Sequence, residues 1–307
     1  MTSTSQTTPM PANASAMALP ARLLLATDLS ARCDRALDRA AQLAGEWRAE
    51  LVALNVLDEA TSPDQTLAWV SGKDGGYALS IARQQLARDL SGLDIQATLR
   101  IARSSDAAAS IRNAAASSGC GLVVTGVSCS ELFGRCPLGS TVERLARTLA
   151  QPLLVVRQRV HGPYQRIVVA TDFSDASRHA LLAAVRLFPG REVILYHACE
   201  MALAGLSNNL EPARVSRMRQ VIEKGDYANF MAATELPAQA QVRPVIEHGV
   251  LESTLTQYVR SHGIDLVMMG ARGRSAVMTV LLGSSAAKLL DWLPCDALVS
   301  REPLGNS

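Results

Sequence analysis

Gly270, Gly273, Gly283 and the serines Ser284 and Ser285 form the spacing G-x2-G-x9-G-S-S. They follow the apolar run Asp265 to Gly270 (DLVMMG) and open a helical pattern over Ala286 to Leu293. Glycines at a strand end let main-chain N–H groups approach a ligand closely. Two hydroxyls at a helix start add to its free N–H groups and the positive end of its dipole. The chemistry this suits is anion binding, phosphate best of all. A plainer reading also stands, in which Gly270 and Gly283 are turn glycines and Ser284 caps a helix.

Other constellations are absent from the sequence. There is no G-x-S-x-G, no HExxH and no Ser/His/Asp set at a recommending distance, so no enzyme is expected. No Gly-rich loop ends in GK[ST], which removes a P-loop NTPase, and Ser71 to Gly76 (SGKDGG) reads as a flexible loop. Cys33, Cys120, Cys129, Cys136, Cys199 and Cys295 are dispersed without a CxxC or a neighbouring histidine. That pattern fits reduced thiols in a core rather than a metal site or a disulfide framework. All 5 histidines lie beyond residue 160. His197 ends a strand on the side of the glycines, where it either reaches the site or is structural.

The elements that must hold these residues come from a repeat. Ala26-Thr27-Asp28-Leu29-Ser30 is answered 144 residues later by Ala170-Thr171-Asp172-Phe173-Ser174. The same shift takes Ala36-Leu37 to Ala180-Leu181, Gly126 to Gly270, and Leu138-Gly139-Ser140 to Leu282-Gly283-Ser284. In the first half the pattern predicts strands over Arg22–Thr27, Glu50–Leu57, Ile95–Ala102, Gly121–Gly126 and Pro152–Arg157. Between them it predicts helices over Ala31–Trp47, Tyr77–Leu90, Asp106–Ser118 and Thr141–Ala150. The second half repeats it with strands over Arg166–Thr171, Glu192–Ala198, Gln241–Glu247, Asp265–Gly270 and Ala297–Arg301. Continuous apolar strands alternating with helices indicate a parallel sheet covered on both faces, so each half is a five-stranded α/β domain. Met201 to Pro237 has no counterpart; Val215, Met218, Ile222, Tyr227, Phe230 and Met231 recur at helical spacing and predict one long helix with a packing face.

Composition agrees. A chain of 307 residues, 48% hydrophobic and 19% charged, fits two globular domains, and with aromatics at 4% Ala, Leu and Val must fill the interior. A net charge of +2 advertises no face for nucleic acid, and no apolar run is long enough for a membrane span. Residues 1–20 are rich in Ser, Thr, Pro and Ala without a basic or unbroken apolar region, and predict a disordered tail rather than a signal peptide. The expected domains are 21–160 and 161–307, joined at Gln158 to Pro163.

At these residues the sequence resembles the universal stress protein family in its tandem two-domain form, over about residues 21 to 302. The resemblance implies two doubly wound domains with strand order 3-2-1-4-5. It implies an adenine nucleotide site in the second half, with ATP, AMP or cyclic AMP as ligand and Mg as a possible companion ion. Gly270, Arg272, Gly273, Gly283, Ser284 and Ser285 would hold phosphates and ribose, and Ala170, Thr171 and Asp172 the adenosine end. Arg272, Arg274 or a divalent ion would neutralise charge, or the arginines are solvated loop residues. It further implies a cytoplasmic stress-response protein acting by regulation or association, an internal pseudo-dimer and a further homodimer. The alternative is an interaction scaffold that binds no nucleotide. An ATP-using ligase is disfavoured, because Thr171-Asp172-Phe173-Ser174 stands where a Ser-Gly-Gly loop is wanted.

The first half departs from this pattern. Asp28, Gly126, Gly139 and Ser140 persist, but Cys129 replaces the middle glycine, and its Cβ stands where backbone should approach phosphate. Ser140 and Glu143 read as a capping box that places a carboxylate on the helix start, where the second half has Ala287. Nucleotide binding is therefore expected to be weak or lost here. Asp28 would be a remnant or the cap of the next helix, and Asn55 and Arg135 are further candidates for closing the crevice.

Overall fold

The computed structural model describes residues 19–31, 33–57, 76–127, 138–199, 212–271 and 282–301, and for 76–79, 212–215 and 218 the backbone alone. The first half runs β1 (Arg22–Thr27), α1 (Asp34–Trp47), β2 (Glu50–Leu57), α2 (Gly76–Asp89), β3 (Ala97–Arg103), α3 (Ala107–Ser117), β4 (Leu122–Gly126), α4 (Ser140–Thr148) and β5 (Leu153–Val156). The second runs β6 (Ile167–Ala170), α5 (Asp175–Leu187), β7 (Glu192–Cys199), α6 (Pro212–Ile222), a π turn (Glu223–Tyr227), α7 (Ala228–Ala232), β8 (Gln241–His248), α8 (Leu251–His262), β9 (Leu266–Gly270), α9 (Ser284–Trp292) and β10 (Asp296–Ser300). The tail expected over residues 1–20 falls, except for 19 and 20, outside the described residues.

Each half has the expected 3-2-1-4-5 order with parallel neighbours. The two sheets are nevertheless one, in the order β3-β2-β1-β4-β5-β10-β9-β6-β7-β8. The join is antiparallel, with Leu153, Leu154 and Val155 opposite Val299, Leu298 and Ala297. All six of these side chains are buried. Burial follows the period of two along each strand: Leu24 and Ala26 face α3, α4, α8 and α9, while Leu23 and Leu25 face α1, α2, α5 and α7. With helices on both faces, the runs LLLA and LVMM are apolar throughout, as the sequence pattern requires.

Helix α1 begins at Asp34 rather than at Ala31. Leu29 takes a left-handed φ of 60° and Cys33 N–H donates to Ser30 O, so a turn occupies the expected first helical turn. The single helix expected within Met201 to Pro237 is α6 and α7 with the π turn between them, and 200–211 lie outside the described residues. The apolar stripe explains the interruption. From Ile222 to the next apolar position, Tyr227, is a step of five residues, which a π turn closes and an α turn does not. Phe230 is buried, and Ile222, Tyr227 and Met231 pack against the same core.

The segment between the halves is built into the junction. Asp296, at 0% exposure, accepts Arg157 N–H at 2.7 Å and Gln158 N–H at 2.9 Å on Oδ1, and Tyr164 O–H at 2.6 Å on Oδ2. Arg39 lies 3.5 Å from the same carboxylate, stacks 4.0 Å over the Tyr164 ring and donates to Gly162 O. Burial raises the Asp296 pKa, opposed by the donors and by Arg39.

Candidate functional site

The sheet order makes β6 and β9 neighbours, with Ala170 opposite Met269, so the chain leaves both strands at one crevice where the strand order reverses. Such switch points are where doubly wound sheets bind ligands. At the end of β6, Thr171 is buried; its Oγ1 accepts Phe173 N–H at 2.9 Å and pairs with Ser177 Oγ at 2.9 Å. Asp172 Oδ1 accepts both the N–H and the hydroxyl of Ser174, at 3.1 and 2.5 Å. Ser174, not Asp172, caps α5 by accepting Ser177 N–H. Phe173 has a φ of 60°, matching Leu29 in the first half.

On the other side of the crevice, Gly270 has ordinary backbone angles, and a Cβ there would lie 2.8 Å from the carbonyl carbon and oxygen of Ala176. The turn-glycine reading of Gly270 is thus corrected: the residue is small because α5 crosses the strand end at that point. Ala271 N–H donates to Ser300 O, and Gly283 N–H donates to Ala271 O, both at 2.8 Å. This second bond closes the loop and sets the start of α9 beside the end of β9. Gly283 is the N-cap with φ −61° and ψ 148°, and among the described residues no side chain caps the helix. The turn-glycine reading of Gly283 and the capping role for Ser284 are therefore also corrected; Ser284 and Ser285 begin the helix with exposed side chains. The uncapped first turn leaves main-chain donors at the positive end of the dipole. Arg272, Gly273 and Arg274 lie outside the described residues.

His197 stands opposite Thr171 across β6 and β7. Its Nδ1–H donates to Thr171 O at 2.8 Å, and its ring lies 4.6 Å from that of Phe173. The carbonyl can only accept, which fixes the proton on Nδ1. In the first half Thr27 is opposite Asn55, whose Nδ2 donates to Thr27 O at 2.9 Å. Asn55 and His197 are thus counterparts 142 residues apart, a relation hidden from a search at constant offset. Cys33 is the counterpart of Ser177 and was also not anticipated as a site residue.

The first-half crevice holds a cavity of about 190 Å³ lined by Asp28, Cys33, Thr125, Gly126, Gly139 and Ser140 among others. Asp28 accepts Ser30 N–H and O–H in an Asx turn and does not cap α1, whose N-cap is Cys33. Burial works to raise the Asp28 pKa, but the bonds from Ser30 and Cys33 prevail and lower it. The Cys33 thiol is pushed up to about 11, first by burial and further by the Asp28 carboxylate. The expected capping box does not form. Gly139 is the N-cap of α4, so Glu143 falls one position too far along, and its carboxylate accepts from Arg147 at 2.7 Å on the exposed face. Cys129 and Arg135 lie outside the described residues.

Comparison with known proteins matches residues 21–157 and again 163–301 to the universal stress protein family. A universal stress protein of Methanocaldococcus jannaschii is 24% identical over 137 residues, 39% of this chain and 85% of the relative. Universal stress protein YxiE of Bacillus subtilis is 24% identical over 147 residues, 45% of this chain and 99% of the relative. Among solved structures, a universal stress protein from Archaeoglobus fulgidus covers 91% of this chain and 98% of its own length, with a TM-score of 0.63 and 20% identity. A functionally unknown protein, PA1789 of Pseudomonas aeruginosa, superposes with a TM-score of 0.63 at 18% identity, over 94% of this chain and 95% of its own. Two matches in tandem, together spanning both halves of the sheet, assign the chain to the universal stress protein family.

Proposed function

We propose that the second half binds ATP or a related adenine nucleotide, with or without Mg, and that the first half does not. The observation that carries this is the Gly283 N–H bond to Ala271 O, which holds an uncapped helix start beside a sheet switch point. The phosphates would sit on the α9 N–H groups with Ser284 and Ser285. Asp172 and Thr171 would meet the adenosine end from the end of β6. Arg272 and Gly273 complete the sequence motif. In the first half the motif has Cys129 for its middle glycine. The protein would then act in the cytoplasm, in a stress response, by nucleotide-dependent association rather than by turnover.

Titration calorimetry with ATP and Mg tests this. Gly283→Val, which sets a branched side chain over the phosphate donors, is expected to abolish binding with the fold intact. Asp172→Ala is expected to weaken ATP while sparing inorganic phosphate. Unchanged ATP affinity in Gly283→Val would sink the assignment. The buried β5–β10 join favours a second reading, a pseudo-dimeric scaffold that binds no nucleotide. A thermal-shift scan separates the two, since a ligand of the folded state raises its stability by mass action. Native mass spectrometry reads retained nucleotide and any homodimer together.

A further inference from the structure

The sheet ends on two strands, β3 and β8, and their outer edges are not alike. Leu51 N–H donates to Gln96 O and Ser104 N–H donates to Leu57 O, with the register unbroken between them. The even-numbered residues of β3 therefore turn both main-chain groups to β2, and Ala97, Leu99 and Ile101 turn theirs outward. In β8 the bond from Gly249 N–H to Cys199 O, with the same unbroken register, puts the main-chain groups of Pro244 and Ile246 outward.

The β8 edge is guarded at both positions. Pro244 has no N–H to offer, and the carbonyl of Ile246 accepts Arg219 Nε–H at 3.0 Å. Pro244 lies opposite Leu195 as Leu99 lies opposite Ala53, and Ile246 lies opposite His197 as Ile101 lies opposite Asn55. Leu99 and Ile101 are thus the counterparts of the two guarded positions, and neither guard is repeated there. Leu99 keeps its N–H, and among the described residues nothing donates to Ile101 O. Both side chains are half-buried. Arg100 between them is exposed and has no ion pair or hydrogen bond among the described residues. The strand carries Arg100 and Arg103 and no acid.

An open edge is completed by an added strand, whose main chain supplies affinity and whose alternate side chains supply choice. The basic side chain decides which strand. A second copy of this chain, paired over all of 97–103, would set Arg100 against its own copy, and like charges directly opposite destabilise a pair. A carboxylate at that position does the reverse.

We propose that the β3 edge is a docking site for an extended segment of a partner protein in which acidic and apolar residues alternate. Its main chain bonds the outward groups of Leu99 and Ile101. Its carboxylates lie on the face of Arg100, and its apolar side chains cover Leu99 and Ile101. The proposal does not rest on the nucleotide reading.

The probe is a fluorescein-labelled heptapeptide of alternating valine and glutamate with valine at both ends, a pattern that is the same in either strand direction. The control has lysine for glutamate. Fluorescence anisotropy with the full chain is expected to show the acidic peptide binding at least about tenfold tighter than the control, and Arg100→Glu should reverse that preference. Leu99→Pro gives β3 the guard that Pro244 gives β8 and leaves the bonds to β2 in place, so it should cost at least about tenfold with circular dichroism unchanged. Absence of binding, equal binding of the two peptides, or a loss below about twofold in Leu99→Pro overturns the proposal. Should Leu99→Pro not fold, the acidic peptide N-methylated at every residue carries the same decision against the wild-type chain, with the same thresholds. Sedimentation velocity covers the second copy: self-association of the wild-type chain that Leu99→Pro abolishes overturns a partner segment. So does a tightening of about tenfold or more when residues 60–72 are replaced by glycine and serine at equal length, since the edge then belongs to the chain's own segment.

Discussion

Replacing Asp296 by alanine should be the most damaging single change at the junction of the two halves. The carboxylate accepts three hydrogen bonds, from Arg157, Gln158 and Tyr164, and faces Arg39, which is itself only 4% exposed. Removing it strands a buried guanidinium and three donors together. Truncation of one member of a buried ion pair typically costs about 3–5 kcal/mol, chiefly because the other charge stays behind. Asp296→Asn keeps an oxygen for Arg157 and Gln158 but gives up both the charge and the acceptor of the Tyr164 O–H, and it should still cost clearly less than alanine. Urea titration followed by circular dichroism reads both. With a slope of about 3 kcal/mol per molar, the alanine variant should lose roughly 1 M or more from the midpoint. A loss below about 0.3 M, or equal losses in the two variants, would refute the argument that the network holds the halves together. Its pH dependence has a definite sign. Because burial raises the folded pKa above the ordinary value of 3.8, the folded state holds this proton more tightly than the unfolded chain. The stability this group contributes is full below the unfolded value and is lost as pH rises through the folded one. The advantage of wild type over Asp296→Asn should therefore shrink as pH is raised from that range.

Gly270→Ala should destabilise by about 1–3 kcal/mol through its 2.8 Å approach to the Ala176 backbone, measured by the same titration. Cys33, raised to about 11, should alkylate slowly near neutrality and faster by roughly tenfold per pH unit toward that value; peptide-resolved mass spectrometry with iodoacetamide would read it, and fast labelling at pH 7 would contradict it. In calorimetry with ATP, Cys129→Gly should move the stoichiometry from one toward two, whereas Glu143→Ala should change little, since that carboxylate is turned to Arg147. The reverse order would mean that Glu143 swings onto the helix start in solution.

What the sequence discloses is what the repeat and the apolar pattern control. Both halves of the sheet follow from runs such as LLLAT and LVMMG, with strand bounds within one or two residues of those observed. The join of β5 to β10 was not legible, because nothing local distinguishes an edge that pairs from one that does not; the apolar LLVV and ALV suit either. The sequence leaves Gly270 open as a turn residue, and only the path of α5 shows that Ala176 demands it. Glu143 illustrates the opposite error. The S-x-x-E spacing was correct for a capping box, but the helix starts one residue earlier than that reading needs, and Arg147 one turn on takes the carboxylate. His197 and Asn55 escaped pairing because two residues are lost between α5 and β7, so partners on neighbouring strands drift out of the common offset.

The antiparallel join has a directional consequence. Within each half all strands run one way, so each crevice opens at the carboxyl edge of its own strands; where β5 meets β10 that direction reverses. The two crevices therefore open on opposite rims of the same slab, about 19 Å apart measured across four strand spacings. A molecule resting on one rim cannot touch the other. Occupancy of either crevice can be reported only from its own end of the protein, or through the sheet itself.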